Sequence, residues 1–182
     1  MFSKNVMKAM NQSAQRRHRK SGNERGFTLI ELLIVMSVIL ILMTLALPQL
    51  LKVNKQAHET SAMASVRAIG QAEVQYSSAY PQNGFACGLP QLGGVPGSGA
   101  PSPQAAQVLD TTLAGGQKQG YTFSITNCTK VTVNNQDMYT GYEVIAVPTS
   151  VGKSGDNGYC MDENNIIKKD PAGGSNCTVV IQ

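Results

Sequence analysis

Twenty-one consecutive residues, Phe27–Leu47, carry only four polar side chains: Thr28, Glu31, Ser37 and Thr44. As a helix this run would be roughly 31 Å long at 1.5 Å per residue, enough to cross the hydrocarbon core of a bilayer. A segment that is apolar on every side has no wet face. It must be given to lipid or to other apolar helices, and the rest of the chain has to fold around that demand.

The run differs from an ordinary secretory signal. Such a signal has an apolar region of about 7–15 residues followed by a small-residue cleavage site. Here the stretch is longer and ends in Ala46-Leu47-Pro48-Gln49, with no such site. The small residue lies before it, in Arg25-Gly26-Phe27. A cut after Gly26 would remove a leader and leave the apolar segment as the new N-terminus. Glu31 then gains a reason. An intramembrane carboxylate costs about 2.5–3.5 kcal/mol on insertion scales and is kept with a partner. The amine freed on Phe27, on the same chain or a neighbour, supplies that counter-charge.

Charge divides at the same place. Of the 15 Lys/Arg, seven lie in residues 1–26 beside one acid, Glu24, so the remaining eight face ten acids. The formal charge of +4 therefore belongs to the leader. The cluster Arg16-Arg17-His18-Arg19-Lys20 precedes a membrane segment and fits the positive-inside rule, so no nucleic acid is indicated as a partner. The leader is expected in the cytoplasm, with everything after Pro48 on the oxidising side of the inner membrane. All four cysteines fall there, at 87, 128, 160 and 177. Four cysteines allow three pairings. The favoured set is Cys160–Cys177, closing a short loop near the C-terminus, with Cys87–Cys128. Closing the shorter loop is worth roughly 3 kcal/mol on the chain-entropy model.

The stretch Gly26-Phe27-Thr28-Leu29-Ile30-Glu31-Leu32-Leu33-Ile34-Val35 resembles the class III signal of type IV prepilins and related pseudopilins. The resemblance is specific over Arg25–Pro48 and general beyond. It implies a membrane peptidase that cuts after Gly26 and methylates Phe27. It assigns Glu31 to subunit docking and Pro48 to a helix kink. It further implies a homo-oligomeric helical filament, a pilus assembly platform, storage in the inner membrane and, after assembly, an extracellular pilus.

Along the chain the expected parts are a leader at 1–26, a long helix at 27–80 whose first part (27–47) spans the membrane before assembly, and a globular domain at 81–182. Ala62, Val66, Ile69, Ala72, Tyr76 and Ala79 recur at helical spacing and mark one apolar stripe. Pro81 ends the helix, since the residue before proline avoids helical geometry. Pro48 and Gly70 are the expected places to bend. Gln82–Gln104, dense in Gly and Pro, reads as a surface loop. Ala105–Ala114 reads as a short helix with Val108, Leu109 and Leu113 inward. Strands are expected at Tyr121–Thr126, Tyr142–Val147, Gly158–Met161, Ile166–Lys168 and Thr178–Ile181. The expected class is α+β, a long N-terminal helix packed on a small antiparallel sheet, which is also the fold the resemblance implies.

Catalytic sets are missing. There is no G-x-S-x-G, H-E-x-x-H, phosphate loop or dinucleotide fingerprint, and His58, expected on an exposed helix face, is the one histidine after the leader. No enzyme activity, cofactor or metal is expected. Asp156, Asp162, Glu163 and Asp170 cluster in sequence but miss the calcium-loop spacing, and read as a solvated acidic region. Asn127-Cys128-Thr129 and Asn176-Cys177-Thr178 match a glycosylation triplet by chance. The leading expectation is a structural pilin, serving adhesion, motility, DNA uptake or secretion. The alternatives are a type II secretion pseudopilin and a signal-anchored periplasmic domain without a filament role. The major pseudopilin family carries tryptophan and a calcium-binding C-terminal loop; this chain has no tryptophan.

Overall fold

The computed structural model describes residues 26–95, 97 and 99–181. The leader therefore lies outside the described residues, save Gly26. One helix, α1 (Leu29–Ala79), is followed by α2 (Leu89–Leu92), α3 (Thr111–Ala114) and six strands: β1 (Gln117–Lys118), β2 (Tyr121–Val133), β3 (Gln136–Pro148), β4 (Gly158–Asp162), β5 (Ile167–Asp170) and β6 (Val179–Val180). The strands form one antiparallel sheet in sequence order, β1-β2-β3-β4-β5-β6. The chain is α+β.

Residues up to Thr44 belong to one unit and Leu45 onward to another. In the first unit, α1 is bare. Its large apolar side chains there are all exposed, from Leu29 at 89% to Met43 at 56%. Ser37 and Thr44 donate to the carbonyls of Leu33 and Ile41, so both hydroxyls are satisfied inside the helix, as an apolar solvent requires.

In the second unit the stripe meets the sheet. Ala62, Val66, Ile69, Ala72 and Tyr76 are buried against Tyr121 and Phe123 of β2, Tyr142, Val144 and Ala146 of β3, Tyr159 and Met161 of β4 and Ile167 of β5. These strand residues alternate in sequence, so one sheet face is covered by the helix. Ala79 departs from expectation: it is exposed, because the stripe ends at Tyr76 as α1 runs past the core. Gly70 serves contact rather than bending. It is buried inside a continuous α1, and a Cβ there would overlap the Met161 Cε.

The segment expected as a surface loop is half core. Ala86, Leu89 and Leu92 are buried, and α2 lies within it, with Pro90 near its start. The helix expected over Ala105–Ala114 shrinks to α3. Ala106, Gln107, Val108 and Leu109 instead donate their amides to carbonyls of Gln91, Gly93 and Leu92, so this stretch runs alongside α2. Asp110 caps α3 by accepting from the amides of Thr112 and Leu113.

Strands β2 and β3 are longer than expected, 13 residues each. They join at Asn134-Asn135, both at positive φ (52° and 60°), the signature of a type I′ hairpin turn. A register shift between Thr126 and Thr129 places Asn127 at φ 50° and bulges the strand at Cys128. Cys128 bonds Cys87, tying the loop before α2 to the hairpin; Cys160 bonds Cys177, tying β4 to the C-terminal turn.

Candidate functional site

The described N-terminus begins as extended chain: Gly26, Phe27 and Thr28 precede α1. Phe27 is almost fully exposed, and a side chain at Gly26 would meet nothing within 4 Å. Among the described residues, nothing packs closely on Gly26.

Thr28 and Glu31 form a capping box. The Thr28 Oγ1 accepts from the Glu31 amide at 3.2 Å, while Glu31 Oε2 accepts from the Thr28 amide at 3.1 Å and the Thr28 hydroxyl at 3.2 Å. Two amides that a helix start leaves orphaned are thus satisfied, and a carboxylate sits at the positive end of the helix dipole. The signal was present in the order Thr28-x-x-Glu31 ahead of an apolar run, and it went unread. Its consequence is geometric: Glu31 is held at the helix tip, beside the residue that would carry the new amine. Pro48 lies inside α1, which continues as helix past it. Among the described residues, α1 is the helix long and apolar enough to cross a membrane.

The acids of the C-terminal third do not converge. Asp156 pairs with Lys55 of α1 at 2.7 Å. Asp162 accepts from the amides of Asn164 and Ile166 and pairs with Lys168 at 3.3 Å. Asp170, buried, accepts from the amides of Ala172 and Asn176 and so shapes the turn before Cys177. Glu163 is exposed. Among the described residues no three of His, Cys, Asp and Glu are grouped to hold a metal. His58 is half-buried rather than exposed. Gly120 approaches it, and its Nδ1 is enclosed without a hydrogen-bond partner.

Two polar anchors on α1 escaped the sequence reading. Glu59 reaches the turn before β4: its Oε1 accepts from the amides of Asp156 (2.7 Å) and Asn157 (3.2 Å) and from Asn157 Nδ2 (3.1 Å), and its Oε2 accepts from the Tyr159 hydroxyl (3.3 Å). Glu73 is fully buried, and its Oε2 accepts from the Ala86 amide at 2.7 Å. Burial pushes its pKa up to about 8 against the opposing pull of that hydrogen bond. Neither is signalled by a motif; both appear as acids flanking the apolar stripe.

Comparison with known proteins bears on the N-terminus. Residues 21–47 match the family described as the prokaryotic N-terminal methylation motif. The match supports a prepilin of the type IV pilin-like or pseudopilin kind, anchored in the inner membrane and processed by a prepilin peptidase. No curated protein and no solved structure matches the chain.

Proposed function

We propose that this chain is a structural subunit of a type IV pilus, cut after Gly26, N-methylated at Phe27 and polymerised through α1. The observation that carries the reading is the methylation motif at 21–47 joined to a stretch of α1 whose large apolar side chains, as far as Val53, are exposed among the described residues. Nineteen large apolar side chains between Phe27 and Val53 are exposed. Fully burying such a side chain is worth about 1.5–3 kcal/mol, so leaving them in water is unfavourable by tens of kcal/mol. Lipid satisfies them before assembly; packing against α1 of other copies satisfies them in a filament.

Cutting after Gly26 changes the charge at the helix tip. The capping box holds Glu31 there, and the Phe27 amine appears one turn away. In a dry filament core an unpaired carboxylate costs several kcal/mol, so pairing with a neighbour's Phe27 amine fixes the register of one subunit against the next. The C-terminal region favours the pilus reading over the pseudopilin one: Asp156, Asp162 and Asp170 are each engaged separately, and a disulfide bounds the end of the chain. No enzyme activity or cofactor belongs to this reading. Glu31→Ala tests it. The variant is expected to insert in the membrane normally while filament yield falls at least tenfold; normal yield refutes the register role.

A further inference from the structure

The least explained group in the folded unit is Glu73. It lies in the stripe of α1 between Ala72 and Tyr76, with no measurable exposure. One carboxyl oxygen holds the Ala86 amide. The other, Oε1, is buried with no hydrogen-bond partner, and so is the Tyr142 hydroxyl of β3. A native core rarely leaves two such atoms unanswered.

The groups around it carry no positive charge. From α1 comes Tyr76, whose hydroxyl donates to the Pro103 carbonyl at 2.9 Å. From β3 comes Tyr142, whose ring packs edge-on against Phe85 at 4.9 Å and which also feels Glu163 and Asp162. From the loop comes the Ala86 backbone amide alone. A carboxylate here would have one hydrogen bond and no counter-ion. A neutral acid fits better: Oε2 keeps the Ala86 amide, and the proton on Oε1 gives the unpaired oxygen a donor function. Ala86 adjoins Cys87, whose disulfide to Cys128 fastens this loop to the hairpin. The segment is held to the sheet by this disulfide and by the backbone bonds of Asn83 and Phe85 with Tyr139, and to α1 through Glu73.

We propose that Glu73 is a protonation latch, which as the neutral acid clips the backbone at Ala86 onto α1 and on losing its proton releases that contact, while the Cys87–Cys128 bridge and the bonds to Tyr139 keep the segment on the sheet. Ionisation forces the group to find water. Burial holds the acid protonated up to about pH 8. The same burial and the Glu73 charge push the hydroxyls of Tyr76 and Tyr142 upward, away from this window. The sign follows: the closed contact is fully favoured below the ordinary carboxyl value of about 4.5, weakens by up to tenfold per unit as pH rises towards 8, and levels off above it, where open and closed forms are both ionised. The inference does not depend on filament assembly.

Amide hydrogen exchange of the full chain in detergent micelles, followed from pH 4 to 10, reads the latch. After correction for intrinsic exchange, protection at Ala86 and Cys87 is expected to fall by up to about tenfold per unit between pH 5 and pH 8 and to level off above. In Glu73→Gln, which keeps an acceptor for Ala86 and cannot ionise, protection is expected to stay flat. Infrared spectroscopy of the unaltered chain gives a second reading that no misfolded variant can obscure. At pH 7, where exposed carboxyls are ionised, one protonated carboxyl stretch is expected, vanishing above pH 9. Absence of that stretch at pH 7, or an equal fall in protection in Glu73→Gln, overturns the proposal.

Discussion

Replacing Glu59 by alanine removes the side chain through which α1 grips the turn before β4. Glu59 accepts from two consecutive backbone amides, Asp156 and Asn157, and from the side chains of Asn157 and Tyr159. Hydrogen bonds to a charged acceptor contribute about 1.5–3 kcal/mol each, but this turn is partly wet, and water replaces some of what is lost. The expected net cost is about 2–3 kcal/mol. In a chain of this length that lowers Tm by roughly 5–10 °C, at about 2–4 °C per kcal/mol. Lys55→Ala is the control: its partner Asp156 is 54% exposed, so that variant should cost under about 1 kcal/mol. Glu59→Gln keeps an acceptor for the backbone amides and should recover about half the loss. The assay is thermal unfolding in mild detergent, followed by near-ultraviolet circular dichroism. Tyr121 and Tyr159, with ring centroids 6.2 Å apart beside this turn, report directly. A Glu59→Ala variant within about 0.5 kcal/mol of the parent, or a larger loss in Lys55→Ala, refutes the reasoning.

Two further outcomes follow from the glycines. A Cβ on Gly158 would overlap the backbone carbonyl of Gly174, which no rotamer change relieves, so Gly158→Ala should destabilise by about 3 kcal/mol in chemical denaturation. A Cβ on Gly26 meets open space, so Gly26→Val should leave unfolding unchanged while the uncut precursor accumulates on immunoblots. Normal processing of that variant contradicts the cleavage assignment.

The parts of the fold that were legible rest on periodicity over long distances. The stripe Ala62–Tyr76 is spaced for one helix face, and its five buried members form the seam with the sheet. The alternation in Tyr121–Thr126 and Tyr142–Val147 marked the strands where one face is covered. It failed beyond Thr126 because that part of β2 is mostly exposed, and residues such as Lys130 and Thr132 need no pattern. The turn Asn134-Asn135 was readable in hindsight, since asparagine tolerates positive φ. The loop 82–104 misled because glycine and proline set backbone shape, not burial: Leu89 and Leu92 reach the core beside them. At the candidate site, the methylation motif that spans Gly26, Phe27 and Glu31 was legible from local order alone. Glu59 and Glu73 were not, because their roles depend on backbone amides at Asp156, Asn157 and Ala86, which leave no trace in side-chain type.

The central claim is that Phe27 becomes the methylated N-terminus of an assembled subunit. Mass spectrometry of filaments sheared from cells, set beside the membrane fraction, tests it most directly. The account predicts a peptide beginning at N-methylated Phe27 in the sheared fraction. The same peptide confined to membranes would replace the pilus with a pseudopilin. Chains that all retain Arg25-Gly26-Phe27 would contradict processing, and with it the filament reading.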